Sequence, residues 1–420
     1  MPIRRVDVRL EEDAVLGDVI ETRMRGRRLS LLRVPALAVL SALVLLSGCT
    51  STSSTPATQA AIGAAAQAAP PATTIEVEPA SASTDVAPNQ PVVVTATAGT
   101  LQTVSLVDDK GRVTAGEIAP DGATWTSSSP LKVARHYRLE ASAVDAEGRT
   151  TQQMAFFATV TPRAVLETSI SPLDGQNVGV GMPVVVRFSE RVSDRAAVEE
   201  ALTVTSSKPV VGSWSWMSDE EVHFRPEEFW PQGTDVTVDV ALRGVDAGRG
   251  VWGMKDRVVK FSTGSSMISI IDVDNYTLKV FRNGKRLRTI PVSTGKAGFL
   301  TRNGTKVILE KHTLKVMDAA TIGISPGDPE YYRLDVPYAM RVTWSGEFVH
   351  AAPWSVGSQG RDNVSHGCVG MSRSNAIWLF NMSTVGDVVQ VVGSPRELEP
   401  GNGYTDWNVS WADWTAGSAL

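Results

Sequence analysis

Two cysteines occur in the 420 residues, Cys49 and Cys368, and their surroundings differ so much that each needs its own explanation rather than a shared disulfide. Cys368 stands in Ser365-His366-Gly367-Cys368-Val369-Gly370-Met371-Ser372, downstream of Phe348-Val349-His350-Ala351-Ala352-Pro353-Trp354. A thiol with two histidines close by is equipped for covalent acyl chemistry. Alone, a thiol of pKa about 8.5 is largely protonated at neutral pH, and a paired imidazole lowers that value to roughly 3.5–7.5. His350 closes an alternating, strand-like run and can present its ring to Cys368 across a fold. His366 is constrained by its place two residues before the cysteine, so a role in positioning backbone or substrate is expected of it. Gly367, without a side chain, would let the backbone N–H groups of Gly367 and Cys368 face an oxyanion. On these residues alone other readings stay open. They are a buried structural cysteine, a chance cluster, and a zinc site of His350, His366 and Cys368, which lacks an evident fourth ligand.

The elements around this cluster follow from composition and pattern. A length of 420 residues implies about two to four domains. With 42% apolar and 20% charged residues and a net charge of −5, the chain shows no bulk attraction to nucleic acid, and none is expected as a partner. Arginines 23, 25, 27, 28 and 33 precede a largely apolar run from Val34 to Leu46, too short to span a membrane and suited to a signal peptide. Met24 is the better start for such a segment, because residues 1–23 carry mixed charge. The run ends in Leu46-Ser47-Gly48-Cys49, which resembles a bacterial lipobox and implies lipidation of Cys49 and a membrane anchor. Residues 1–48 are therefore read as signal peptide and 49–75 as the lipidated cysteine and a Ser/Thr/Ala/Pro-rich linker with little to bury.

An internal echo follows. Pro91-Val92-Val93-Val94 recurs as Pro183-Val184-Val185-Val186, and Phe157-Ala158-Thr159 as Phe261-Ser262-Thr263. Period-two runs through Tyr137, Leu139, Ala141 and Ala143, and through Val236, Val238, Val240 and Leu242, predict half-buried strands. Residues 76–162 and 163–264 are accordingly expected to form two β-sandwiches, similar to immunoglobulin-like domains and without catalytic clusters. From 265 to 394 a further β-rich domain is expected, with Asn-Gly turns at Asn283-Gly284 and Asn303-Gly304 and one helix over Ser374–Met382 entered through Ser372. Residues 395–420 form a tail whose Trp407, Trp411 and Trp414 would share one helical face and dock on the domain before it. The fold class is mainly β.

Ser365-His366-Gly367-Cys368, with fourteen residues between His350 and Ser365, resembles the active-site signature of YkuD-type L,D-transpeptidases. The order of tether, two immunoglobulin-like units, β-rich domain and Trp-rich tail resembles the lipoprotein members from mycobacteria and other actinobacteria. The resemblance implies Cys368 as nucleophile, His350 as general base, and the Ala351 carbonyl as the group that orients the imidazole, where members often carry Ser. It matches Tyr332, Met317, Trp354 and Ser365 to positions lining the substrate entrances. It departs at Gly370, where many members have Asn or Arg. The implied reaction joins peptidoglycan stems by 3→3 cross-links, with no metal or organic cofactor and with carbapenems as covalent inhibitors, on the outer face of the membrane. A wall-binding lipoprotein without catalysis, an L,D-carboxypeptidase, and transfer to another amine remain the alternatives.

Overall fold

The structure is a computed structural model that describes residues 72–420. The expected signal peptide, Cys49 and nearly all of the linker lie outside the described residues.

Alternation of apolar and polar side chains places one face of each strand inward, and the first sandwich is built on that rule. One sheet runs Thr74–Glu78, Val93–Thr97, Thr124–Ser127, Gly116–Ile118, and the other Val113–Thr114, Thr100–Asp108, His136–Val144, Thr150–Ala158. Val94, Trp125, Leu106, Leu139 and the stacked pair Tyr137 and Phe157 form their common core. The second sandwich pairs Thr168–Ser171, Val184–Phe188, Glu221–Pro226 and Gly212–Ser218 against Asn177–Val178, Asp256–Thr263, Asp235–Ala241 and Leu202–Ser206. The echoed Pro-Val-Val-Val segments lead into or form the second strand of the first sheet in each sandwich, and the echoed Phe residues lie in the last strand.

The third domain holds a five-stranded sheet ordered Lys285–Pro291, Thr277–Arg282, Met267–Asp272, Val388–Val392, Gly304–Val307. Beside it is a four-stranded sheet ordered Glu310–Asp318, Arg333–Arg341, Phe348–Ala351, Val369–Met371. Ile271, Leu278, Ile290, Met340, Met371 and Leu379 fill the core that both sheets share with the helix Arg373–Met382. Ser372 caps this helix by accepting from the Asn375 N–H. Asn283 and Gly284 take φ of 53° and 75°, the left-handed pair that a two-residue hairpin requires.

Asn303-Gly304 does not make the expected hairpin. Gly304 opens a strand that pairs with Val388–Val392, and a side chain there would meet Asn408 Oδ1 at 2.6 Å, so the glycine makes room for the tail.

The first part of the tail docks on the third domain as expected, with the Leu398 N–H donating to Asn303 O and Asn402 Nδ2 to Ser345 Oγ, but the tryptophans do not stay there. The tail crosses from the third domain to the second sandwich, where Trp407, Trp411 and Trp414 surround the buried Arg225 guanidinium at 5.0, 5.3 and 4.7 Å. Trp407 belongs to a 3-10 turn and the other two to the helix Trp411–Thr415, so no single helical face is involved. The quadrupole of each ring attracts the cation, which holds these rings on the sandwich. Trp414 Nε1 donates to Ser213 O and Trp407 Nε1 to Gly181 O, satisfying both indoles.

Candidate active site

His350 and Cys368 reach the same cavity because Phe348–Ala351 and Val369–Met371 are parallel neighbours, with Val349 opposite Val369 and His350 opposite Gly370. Both side chains are nearly buried, at 5% and 9% exposure. They line one cavity of about 200 Å³ together with Met317, Tyr332, Trp354, Ser365 and His366.

The imidazole is oriented by its own chain. Nδ1 lies 2.8 Å from the Ala351 carbonyl oxygen, and because a carbonyl only accepts, Nδ1 carries the proton and Nε2 is left as a base. Trp354 stacks on the ring at 5.9 Å and 28° while remaining half exposed at the mouth. Burial pushes the His350 imidazole down to about 4. Burial likewise pushes the Cys368 thiol up to about 12, opposed by the Phe348 N–H, raised further by Glu347, and opposed by Lys306 and Arg341. Both groups are thus uncharged at neutral pH. Sγ points to the Gly346 carbonyl at 3.6 Å and makes no hydrogen bond to the imidazole in this state. The arrangement suits proton transfer during attack rather than a standing thiolate–imidazolium pair.

The turn carrying the thiol is held from several sides. Ser365 Oγ donates to Cys368 O at 2.6 Å and accepts from the Gly367 N–H at 3.1 Å. Thr301 Oγ1 donates to Gly367 O at 2.9 Å. Gly367 adopts φ of 114°, a conformation that a residue with a Cβ rarely takes. The expected pair of oxyanion donors is therefore reduced. The Gly367 N–H is taken by Ser365 Oγ, which folds back over two residues, while the Cys368 N–H has no acceptor among the described residues.

His366 lies in the cavity but turns to the loop that follows Ile322. Its Nε2 is 2.7 Å from Glu330 Oε2, which also takes Lys296 Nζ at 2.6 Å. Lys296 and His366 hold the Glu330 carboxyl below the usual carboxylate range. The His366 ring packs between Phe299 at 4.4 Å and Tyr332 at 4.9 Å. Tyr332 closes one side of the cavity, its hydroxyl pushed up to about 12 by burial. Met317 packs on the cluster of Val336, Ala339, Phe348 and Cys368. Among the described residues no three His, Cys, Asp or Glu side chains are placed to share a metal ion.

Gly370 is explained by crowding. A Cβ there would come 2.8 Å from Ala352 Cβ, so Ala352 fills the space that a side chain at this position would need. The sequence reading missed Glu330, Lys296, Thr301, Lys306 and Glu347. The nearest thing to a signal was the lysine that opens the otherwise apolar run Lys306-Val307-Ile308-Leu309.

Residues 266–391 match the family model of the L,D-transpeptidase catalytic domain, and residues 83–246 that of a bacterial Ig domain. L,D-transpeptidase 2 of Mycobacterium tuberculosis is 41% identical over 330 residues, covering 78% of this chain and 81% of the relative. L,D-transpeptidase 5 of the same species is 35% identical over 359 residues, covering 84% and 78%. Among solved structures, an LD transpeptidase in complex with imipenem is 40% identical, with a TM-score of 0.48, covering 55% of this chain and 100% of that one.

Proposed function

The chain belongs to the L,D-transpeptidase family, and from that premise we propose that it cross-links peptidoglycan stems through a thioester on Cys368, with His350 as the base. The observation that carries the assignment of roles is the imidazole fixed by Ala351 O, its Nε2 unprotonated, in the same small cavity as the one cysteine among the described residues.

As Sγ attacks the carbonyl carbon of the third stem residue, its proton passes to His350 Nε2 and an S–C bond forms. The Cys368 N–H is the donor best placed in the backbone for the oxyanion. The C–N bond to the terminal D-alanine then breaks, and the imidazolium returns its proton to the leaving amine. A side-chain amine of a neighbouring stem, of the diaminopimelate type, attacks the thioester and gives its proton to His350; the C–S bond breaks as the amide forms, and Sγ takes that proton back from the imidazolium. The product is a 3→3 cross-link. Tyr332, Met317 and Trp354 bound the cavity and limit water as a competing acceptor. A carbapenem would acylate Cys368 by the same attack on its strained carbonyl.

Cys49, following an apolar export segment, anchors the mature chain by a lipid to the outer face of the membrane on this reading, with the sandwiches as spacers toward the wall. Purified protein given a disaccharide tetrapeptide should release D-alanine and yield a dimer whose tandem mass spectrum shows a linkage between two third residues. Release of D-alanine with only tripeptide product would make it a carboxypeptidase, and no turnover by folded protein would favour a binding role.

A further inference from the structure

The turn that carries Cys368 rests on a buried charged cluster that the reaction scheme leaves unused. Lys306 is 1% exposed and Glu347 4%, and neither charge would be tolerated there alone. Lys306 Nζ donates to Glu347 Oε2 at 2.6 Å, while Oε1 accepts from the Arg302 N–H at 2.9 Å and from Arg302 Nη1 at 3.1 Å. Arg302 continues outward to Glu399. A buried ion pair is seldom more stabilising than apolar side chains of the same volume, so stability alone does not account for this one.

Its location supplies a reason. A Cβ on Gly367 would lie 3.6 Å from Glu347 Oε1 and 3.7 Å from its Cγ, so the carboxylate abuts the nucleophile turn. Sγ of Cys368 points to the carbonyl of Gly346, the residue before Glu347. Thr301, next to Arg302, holds the Gly367 carbonyl. One short segment, 301–306, therefore fixes the turn and supplies both cations.

We propose that Lys306, together with Arg302, is a positioning residue for the nucleophile: it neutralises the Glu347 carboxylate that braces the Gly367–Cys368 turn, so that negative charge can develop on Sγ beside it. The inference rests on Cys368 being the nucleophile and is independent of the substrate. The other charged or titratable groups around the thiol are Arg341, His350, His366 and Tyr332, and none of them bonds to Glu347. Burial lowers the affinity of Lys306 for its proton and Glu347 partly offsets this, so the two charges depend on each other.

The test is the rate of alkylation of Cys368 by iodoacetamide at a fixed pH of about 8 in the whole chain, read by mass on the Cys368 peptide, since only the thiolate reacts. Lys306→Met leaves the Glu347 carboxylate with Arg302 as its remaining partner and should slow the reaction roughly tenfold, the change in thiolate fraction for one unit of pKa. Adding Glu347→Gln removes the uncompensated charge and should bring the rate back to within about threefold of the unsubstituted protein. Arg302→Gln, which leaves the Lys306–Glu347 pair in place, should slow the reaction in the same direction. Because removing an uncompensated buried charge can also repair a fold, rates are compared only among variants that chemical denaturation shows to be folded at the assay pH. If Lys306→Met does not fold, Arg302→Gln decides. Unchanged rates in the folded single variants, or a double variant no faster than Lys306→Met, overturn the proposal. Absence of a carbapenem adduct with this order of rates intact would remove the functional reading and leave the electrostatic one.

Discussion

Since Nδ1 of His350 is committed to Ala351 O, Nε2 is the ring nitrogen able to take a proton, and burial keeps it unprotonated over most of the accessible pH range. Acylation of Cys368 should therefore be level through neutral pH and fall only as the pH drops through about 4, where the imidazole is lost as a base. Stopped-flow fluorescence with a carbapenem measures this. An acid limb centred on the ordinary histidine value of 6.5 would contradict the buried, neutral pair. Gly370→Asn forces a Cβ against Ala352 and should cost about 1–3 kcal/mol in chemical denaturation, with much of it recovered by Ala352→Gly. The Cys-His-Gly pattern was legible because its members lie in two short stretches of sequence. Glu330, Lys296, Thr301 and the Lys306–Glu347 pair were not, since each gains its role from a partner tens of residues away that only the fold supplies.

At the scale of elements, the helix Arg373–Met382 buries Ala376 and Leu379 against the strands that carry His350 and the Arg333–Arg341 segment. Its cap at Ser372 lies one residue beyond the strand that follows Cys368, so helix entry and site geometry are linked. Ser372→Ala should lower stability by about 1 kcal/mol in urea titration, and a loss near zero would mean that the Asn375 N–H finds another partner. Alternation and turn residues were sufficient to find the sandwich strands and the Asn283-Gly284 hairpin. They misassigned Asn303-Gly304, because the same dipeptide serves where a glycine must let the tail pass, and local sequence does not distinguish the two uses.

At the scale of the molecule, the second sandwich and the third domain share a core. Val180, Met182, Val307, Leu309, Val388 and Tyr404 belong to one apolar cluster, and the Gly179 and Gly181 N–H groups donate to Val385 O and Gly386 O at 2.8 and 3.0 Å. The sandwich cannot act as a detachable spacer. Deleting residues up to about 161 should leave a folded enzyme active on soluble stems, whereas cutting after the second sandwich should lower the melting temperature sharply; equal stability of the two fragments would contradict the shared core. The tail adds a titratable clamp, with His223 of the sandwich held between Asp406 and Glu221 at 2.6 Å each. Although burial opposes it, these carboxylates raise His223 from 6.5 to about 9. A raised value means that the charged form is favoured by folding. Its contribution, on the order of 3 kcal/mol, is fully present below pH 6.5 and is lost as pH rises through about 9. Thermal melts from pH 6.5 to 9.5 should show this decline, and His223→Gln should flatten it. The tail's destination was hidden in the sequence because Arg225 and the three tryptophans are about 180 residues apart.

Acylation of Cys368 with His350 as its base is read by intact-protein mass spectrometry after incubation with a carbapenem. A stable adduct is expected on the unsubstituted chain, mapped to Cys368, absent in Cys368→Ala and formed at least about a hundredfold more slowly in His350→Ala. An adduct that persists in Cys368→Ala, or forms at full rate in a folded His350→Ala, would contradict these roles.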